Sequence, residues 1–422
     1  MSSKIRQKGK KTKTKQKHIK TVHQKRKLFR ANEPLVSVFM WGVNHTISEL
    51  THVPIPVMLM PDDFKAFSKV KVDNHCFNKE NLPSHFKVKE YCPNVFRNLR
   101  EKFGIDEEEY LKSLTKHQPQ ETDSPGRSNA RFFQTYDGKF VVKTLSADEV
   151  AEVHSVLKHY YEYVVETTGR TLLPQYLGMY RTTVEGTETY MLVMRSIFGT
   201  KYVIHKKYDL KGSTVQRQAS EKERAKDLPT LKDLDFLDEG MKLYLPEDAK
   251  QKLLDMLGKD CEFLAKLHLM DYSLLVGIHD LEKGEEEAAQ ASSSGGEATD
   301  VEALGTSPPA GDSSEPDGPS DGEFSQPTPP DSPVPASGAF AALHSDSQLD
   351  LTDEFYAVSS RTEPKKAGYL LWGRFIFAHY GVKKRTASAA KTVKYGAEAE
   401  ISTVKPDQYA RRLVDFVARS LV

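Results

Sequence analysis

Between Leu281 and Asp350 the sequence holds fifteen Asp/Glu, a single Lys and a run of Ser, Gly and Pro, including SPPAGDSSEPDGPSDGEFSQPTPPDSPVP. Such a segment has too little apolar surface to offset the entropy of ordering it, so it reads as a disordered acidic insertion. Apolar, patterned text resumes beyond it, so it interrupts a domain without ending one. Whatever folds here is assembled from two pieces, one on each side.

A second charge block stands at the front. Residues 1–30 carry thirteen Lys/Arg and no carboxylate, and the overall charge of +1 from 60 basic and 59 acidic residues hides this segregation. The arm, residues 1–32, is too poor in apolar residues to build a core. It suits a solvated tail or nuclear-import signal, or an anionic membrane surface, where each Lys or Arg contributes about 1 kcal/mol. Nucleic acid is not expected as a partner, because the arm has almost no aromatic interleaving for base stacking. Cys76, Cys92 and Cys261 lie far apart, which excludes a disulfide scaffold and a cysteine zinc site. The most apolar run, Tyr369 to Phe377, is too short to span a bilayer and contains Arg374. The arm has no apolar stretch of the secretory type. The reading is a cytosolic or nuclear protein that touches membranes by its surface.

Periodicity sketches the elements. PLVSVFMWGVNHTISEL places Leu35, Val38, Phe39, Val43 and Ile47 near helical spacing, while VPIPVMLM and the alternating KVKV suggest strands. Helices are expected over Tyr91–Phe103 and Glu107–Leu114. ARFFQTYDGKFVVKTL is a hairpin with Asp137-Gly138 at its turn, and a second hairpin turns at Glu185-Gly186. Ser146 and Glu149 form a capping box ahead of Val150, Val153, Val156 and Leu157. A long helix runs from Pro246 through Leu253, Leu257, Cys261 and Leu264 towards LMDYSLLVGIHD. After the insertion come a strand region, the basic stretch KKRTASAAKTVKYG, and a terminal helix with Tyr409, Leu413, Phe416 and Val417 on one face.

Three places carry chemistry. Lys143 ends FVVK, downstream of a Gly-Arg-Ser loop at Gly126, and such a strand–loop–strand unit lets a lysine meet nucleotide phosphates. The same text is equally that of a surface lysine. Asp271 in MDYSLL is placed to orient a hydroxyl nucleophile or hold Mg²⁺, or is an ordinary turn aspartate. Asp209 and Lys211 in YDLKGST add an acid–base pair. The H-R-D, D-F-G and A-P-E signatures of protein kinases are absent, which argues against an ordinary protein kinase.

Taken together, the strings MWGVNHTISEL, PVMLMPDDFKAFSKVKVDNH, FRNLREKFGID, LLPQYLGMYR, KYDLKGST, LPTLKD, MDYSLLVGIHD and AAKTVKYGAEAEISTV closely resemble the type II phosphatidylinositol phosphate kinases, the phosphatidylinositol-5-phosphate 4-kinases. The resemblance implies an α/β (α+β) fold of two lobes, distantly protein-kinase-like: an N-terminal lobe over 33–195 with the dimerisation elements, and a C-terminal lobe over 196–422 holding the insertion. It implies a homodimer, or a heterodimer with related kinases, that is cytoplasmic and peripherally bound to membrane. ATP and Mg²⁺ would be the cofactors and phosphatidylinositol 5-phosphate the substrate.

By the same resemblance Lys143 matches the ATP-phosphate lysine, Asp271 the catalytic and metal-binding aspartate, and Val141, Phe198 and Leu275 the adenine pocket. Met194 and Ser196 stand where some members have the Thr and Asn that favour guanine nucleotides, so ATP is expected. Arg127, Lys232, Lys211, Lys383, Lys384, Lys391 and Lys394 are candidate phosphoinositide contacts. Ala387 occupies the place where the related 5-kinases carry Glu, which points to the 4-kinase branch.

One window departs from the family text. AGYLLWGRFIFA replaces a segment like E-V-Y-F-M-A-I-I-D-I-L-T. Counting back from AAKTVK without a gap puts Phe375 at the position of the second Mg²⁺ ligand, an aspartate. A phenyl ring cannot ligate a metal. The alternative reading is therefore a catalytically impaired phosphoinositide-binding scaffold.

Overall fold

The computed structural model of the 422-residue chain describes residues 29–73, 82–122, 130–198, 203–243, 245–294, 355–358, 366–374, 378–379 and 405–422. The first helix, α1 (Pro34–Leu50), begins on a proline, whose missing N–H would have had no partner in the first turn. Val36, Phe39, Met40, Val43 and Ile47 recur at three- and four-residue spacing and are buried. The following Val53–Met60, expected as a strand, is a run of bends and irregular chain. Pro54 and Pro56 remove two ladder donors, and Val57, Met58 and Met60 stay exposed.

The next elements are β1 (Phe67–Val72), β2 (Phe86–Tyr91), α2 (Pro93–Lys102), α3 (Glu107–Thr115), β3 (Gln120–Thr122), β4 (Phe132–Gln134), β5 (Phe140–Leu145), α4 (Ala147–Glu166), β6 (Tyr176–Val184) and β7 (Thr187–Arg195). Their strands form one seven-stranded antiparallel sheet in the order β1-β2-β6-β7-β5-β4-β3. Both expected hairpins are present. Glu185 and Gly186 have φ of 52° and 80°, the left-handed pair of a tight two-residue hairpin turn. The capping box is formed: Ser146 Oγ accepts from Glu149 N at 3.2 Å, and Glu149 Oε2 accepts from Ser146 N at 2.8 Å.

The second sheet is built by β8 (Lys206–Leu210), β9 (Thr230–Lys232), β11 (Ser273–Asp280), β12 (Phe355–Val358) and β13 (Lys366–Arg374), in the order β12-β13-β11-β8-β9. Only the β8–β9 pair in it is parallel. Between and after these run α5 (Glu221–Arg224), α6 (Asp233–Asp238), α7 (Glu247–Lys266), the two-residue β10 (Leu269–Met270), α8 (Leu281–Ser294), β14 (Ala378–His379), paired with β10, and α9 (Pro406–Ser420). Strand β11 is buried almost throughout, as its continuous apolar text requires for a central strand. The long helix α7 ends at Lys266, so Asp271 sits past it, in the two-residue gap between β10 and β11.

The acidic segment expected to be disordered from Leu281 begins as helix α8. Asp280 Oδ1 accepts from Lys283 N at 3.3 Å, and the Glu- and Ala-rich text that follows has good helix propensity. Residues 295–354 and the basic arm to residue 28 lie outside the described residues.

The two sheets share one continuous apolar core. At their junction the Asp260 carboxylate on α7 accepts from Tyr163 Oη on α4 at 2.6 Å, Thr171 Oγ1 at 2.7 Å and Leu172 N at 2.6 Å. The Tyr163 ring stacks on Phe263 at 4.2 Å.

Candidate active site

Lys143 lies on β5, in register with Phe132 of β4 and Leu192 of β7, and its residue is only 9% exposed. A lysine so enclosed needs a partner. Its Nζ donates to Glu149 Oε1 at 2.8 Å. The other Glu149 oxygen holds the Ser146 amide, so one carboxylate both starts α4 and fixes the lysine. Burial raises the Glu149 carboxyl, but the Lys143 and Ser146 contacts outweigh it and hold the group below its ordinary value. A lysine on a sheet strand paired with a glutamate on the next helix is the arrangement kinases use to present a fixed charge to nucleotide phosphates. The sequence signals Glu149 only as a cap; its pairing with Lys143 emerges from the fold.

Two residues before Lys143, Val141 pairs in register with Met194 of β7. The chain leaves β7 through Ser196, whose N donates to Lys139 O at 2.7 Å and whose Oγ donates to Phe198 O at 3.2 Å. Phe198 lies against Gly277 so closely that a Cβ there would overlap its ring. Leu275, two residues earlier on β11, is buried and pairs with Asp209. Val141, Phe198 and Leu275 thus come from the first sheet, the connection and the second sheet.

Asp271 has φ of +63°, a left-handed conformation that a non-glycine residue keeps only under constraint. Its carbonyl oxygen accepts from Lys211 Nζ at 2.8 Å. Lys211 is held in turn by Asp233, whose Oδ1 accepts from Lys211 N at 2.9 Å and Gly212 N at 2.8 Å. Asp233 Oδ2 accepts from Arg217 Nε at 2.7 Å, and Arg217 Nη2 donates to Asp209 Oδ1 at 3.0 Å. For Asp209 burial raises the carboxyl, yet the Arg217 and Lys211 charges prevail and hold it low. For Asp233 burial prevails over Arg217 and raises it. The Asp209 carboxylate, offered by the sequence as a catalytic member, is therefore engaged by Arg217 within a buried brace. Arg217 and Asp233 carry no catalytic signal in the sequence beyond the LPTLKD text.

Lys232 precedes Asp233 and pairs in register with Asp209 of this brace, with its Nζ 3.4 Å from Gln218 O. Gly126, Arg127, Phe375, Lys383, Lys384, Ala387, Lys391 and Lys394 lie outside the described residues. In sequence, Gly126 and Arg127 fall between the paired strands β3 and β4. On the other side, Arg374 ends β13 opposite Ser273, and Ala378 pairs with Met270, so the chain on each side of Phe375 borders the Asp271 turn. Among the described residues no group of three or more His, Cys, Asp or Glu side chains is gathered as a metal site. Phosphate-bound Mg²⁺ needs only one or two carboxylates, so Asp271 suits it as a minimal protein ligand.

A family model described as Phosphatidylinositol-4-phosphate 5-Kinase matches residues 113–420. The chain is 53% identical over 412 residues to the chicken (Gallus gallus) phosphatidylinositol 5-phosphate 4-kinase type-2 alpha, covering 97% of this chain and 96% of that protein. It is 52% identical to the human type-2 alpha protein over the same length. With the human type-2 beta protein it shares 54% identity over 402 residues, 95% of this chain and 93% of that one. The chain belongs to the phosphatidylinositol phosphate kinase family. It is a lipid kinase of phosphoinositide metabolism, and that family membership implies the use of ATP and a metal ion.

Proposed function

We propose that this chain transfers the γ-phosphate of ATP to the 4-hydroxyl of phosphatidylinositol 5-phosphate, giving phosphatidylinositol 4,5-bisphosphate. The observation that carries the reading is the pairing of Lys143 with Glu149 on one side and the constrained Asp271 turn on the other. The choice of the 4-position rests on the names of the relatives and on Ala387.

When bound, ATP supplies the phosphoryl group and Mg²⁺ neutralises its charge. Lys143 presents a fixed ammonium to the phosphates, because Glu149 has already fixed its rotamer. Val141, Phe198 and Leu275 enclose the adenine. Asp271 orients the lipid hydroxyl and accepts its proton, and it would be the residue that holds the metal ion beside the phosphates. Arg127, Lys232 and the basic residues Lys383, Lys384, Lys391 and Lys394 receive the headgroup phosphates.

The outer face of the first sheet supports docking on an anionic membrane. Lys69, Lys89 and Arg181 pair across β1, β2 and β6, with Lys71 opposite Lys87, so five cations share one face while Phe86, Val88 and Val70 turn to the other. Among the described residues, Lys71 and Arg181 have a carboxylate within ion-pair distance, and no such pair is formed by the other three. Strand β1 is an edge with Phe67 exposed, near the exposed Val57 and Met58 in chain order, and this supports association of two copies. Among the described residues no helix is long and apolar enough to cross a membrane. Peripheral attachment from the cytoplasm, with the nucleus as a second address, is proposed on the basic arm and this cationic face.

The scaffold reading rests on Phe375 alone. Labelled ATP offered to vesicles of phosphatidylinositol 5-phosphate and, in parallel, phosphatidylinositol 4-phosphate tests the proposal. Product from the 5-phosphate at several times the rate from the 4-phosphate supports it. Vesicle binding with no product from either, or a preference for the 4-phosphate, rejects it.

A further inference from the structure

We propose that Tyr409, on the terminal helix α9, is a positioning residue for phosphoryl transfer: with Lys211 it clamps the backbone turn that aims the Asp271 carboxylate. The inference rests on Asp271 as the catalytic carboxylate. Two successive carbonyls in the turn each accept a donor from a side chain distant in sequence. The Asp271 carbonyl takes Lys211 Nζ at 2.8 Å, and the Tyr272 carbonyl takes the Tyr409 hydroxyl. A left-handed aspartate persists only where its surroundings impose the conformation, and these two bonds brace the turn.

The two clamps form one unit. At Gly212, next to Lys211, φ is +66°, and a Cβ would come within 2.7 Å of the Arg412 carbonyl of α9. Glycine there lets the terminal helix lie directly on the loop that carries Lys211. Tyr409 is fully buried, with its ring edge-on to Tyr272 at 4.7 Å and 74°. Burial, and then the charge of Asp209, raise the phenol well above its ordinary value, so it stays a donor at any working pH. A residue 137 positions away in sequence thus fixes the backbone beside the catalytic carboxylate.

Tyr409→Phe keeps the ring and deletes only the O–H. Lipid phosphorylation by the full chain is expected to show kcat lowered about tenfold, equivalent to about 1.4 kcal/mol on the barrier, with KM for ATP changed less than twofold. Amide hydrogen exchange should accelerate about tenfold at 271–274 while β6 and β7 exchange as before. Unchanged kcat and unchanged exchange at 271–274 overturn the proposal. So does acceleration spread over the whole protein, which marks a merely structural tyrosine. If Tyr409→Phe does not fold, Lys211→Met is read by the same exchange measurement with the same two outcomes. Asp271→Asn separates the inference from its foundation: turnover that survives that change refutes the catalytic assignment, while the exchange result still judges the clamp, even at low turnover.

Discussion

Replacing Asp260 tests how the two lobes are held together. Its carboxylate is buried on α7 and accepts from Tyr163, Thr171 and the Leu172 amide, all from the first lobe or its connection. Asp260→Ala leaves three buried donors without an acceptor, at about 1–3 kcal/mol each, so about 3–9 kcal/mol of stability should be lost. At roughly 2–4 °C per kcal/mol, the melting temperature should fall by at least about 6 °C. Asp260→Asn isolates the charge. Burial pushes the Asp260 carboxyl up to about 6, against its three donors, from an ordinary 3.8. A folded-state value above the unfolded one means that the folded protein binds the proton more tightly between those limits. This group's contribution is then fully present only below the unfolded value of 3.8, and it is lost as pH rises through about 6. Across about two pH units that is about 3 kcal/mol. Urea unfolding of wild type and Asp260→Asn at pH 4, 5, 6 and 7 reads it as a stability difference that shifts in favour of wild type as pH falls. A difference that is flat, or shifts the other way, would show that the three donors outweigh burial and refute the reasoning.

Glu149→Gln should weaken ATP binding and lower turnover about tenfold, since Lys143 loses its charged partner. It should cost only about 1 kcal/mol of stability because Gln retains a capping acceptor, and calorimetry with ATP and thermal unfolding separate the two effects. Replacing Lys69, Lys87 and Lys89 with Glu should reduce co-sedimentation with anionic vesicles. The wild-type interaction should fade between 0.1 and 1 M salt as the Debye length drops from about 10 Å to about 3 Å; binding unchanged by salt or by the substitutions would defeat the electrostatic account. Deleting residues 295–348 while keeping helix α8 should leave the melting temperature within about 2 °C, because that polar sequence has little apolar side chain to contribute to a core; a large fall on a thermal scan would contradict this.

What was legible in the sequence was local chemistry. Asp137-Gly138 and Glu185-Gly186 specify their turns within four residues, the Ser146–Glu149 box starts α4, and the apolar spacing of α1, α4, α7 and α9 fixes their buried faces. Val53–Met60 misled because its apolar text outweighed the two prolines that prevent pairing. The start of the acidic segment misled in the opposite direction: its composition speaks of disorder, yet Asp280 caps a helix that runs to Ser294. The site was legible in its motifs and illegible in its supports. Lys143 and Asp271 stand in recognisable strings, whereas the Glu149 pairing, the Asp233–Arg217–Asp209 brace and the Tyr409 bond are tertiary contacts that no spacing encodes. Asp209 read as a reactive acid because its neighbour Lys211 was visible and Arg217 was not.

Turnover itself tests the central claim most directly. The unmodified chain, Asp271→Asn, and a chain whose residues 367–378 are replaced by family-like text containing aspartate at 375 would each receive labelled ATP, Mg²⁺ and phosphatidylinositol 5-phosphate vesicles. Slow formation of phosphatidylinositol 4,5-bisphosphate by the unmodified chain is expected, with loss of it in Asp271→Asn and faster turnover after the replacement, because the proposed metal ligand Asp271 would then gain a second carboxylate beside it. A folded replacement chain that still makes no product, or product formation indifferent to Asp271→Asn, would contradict it.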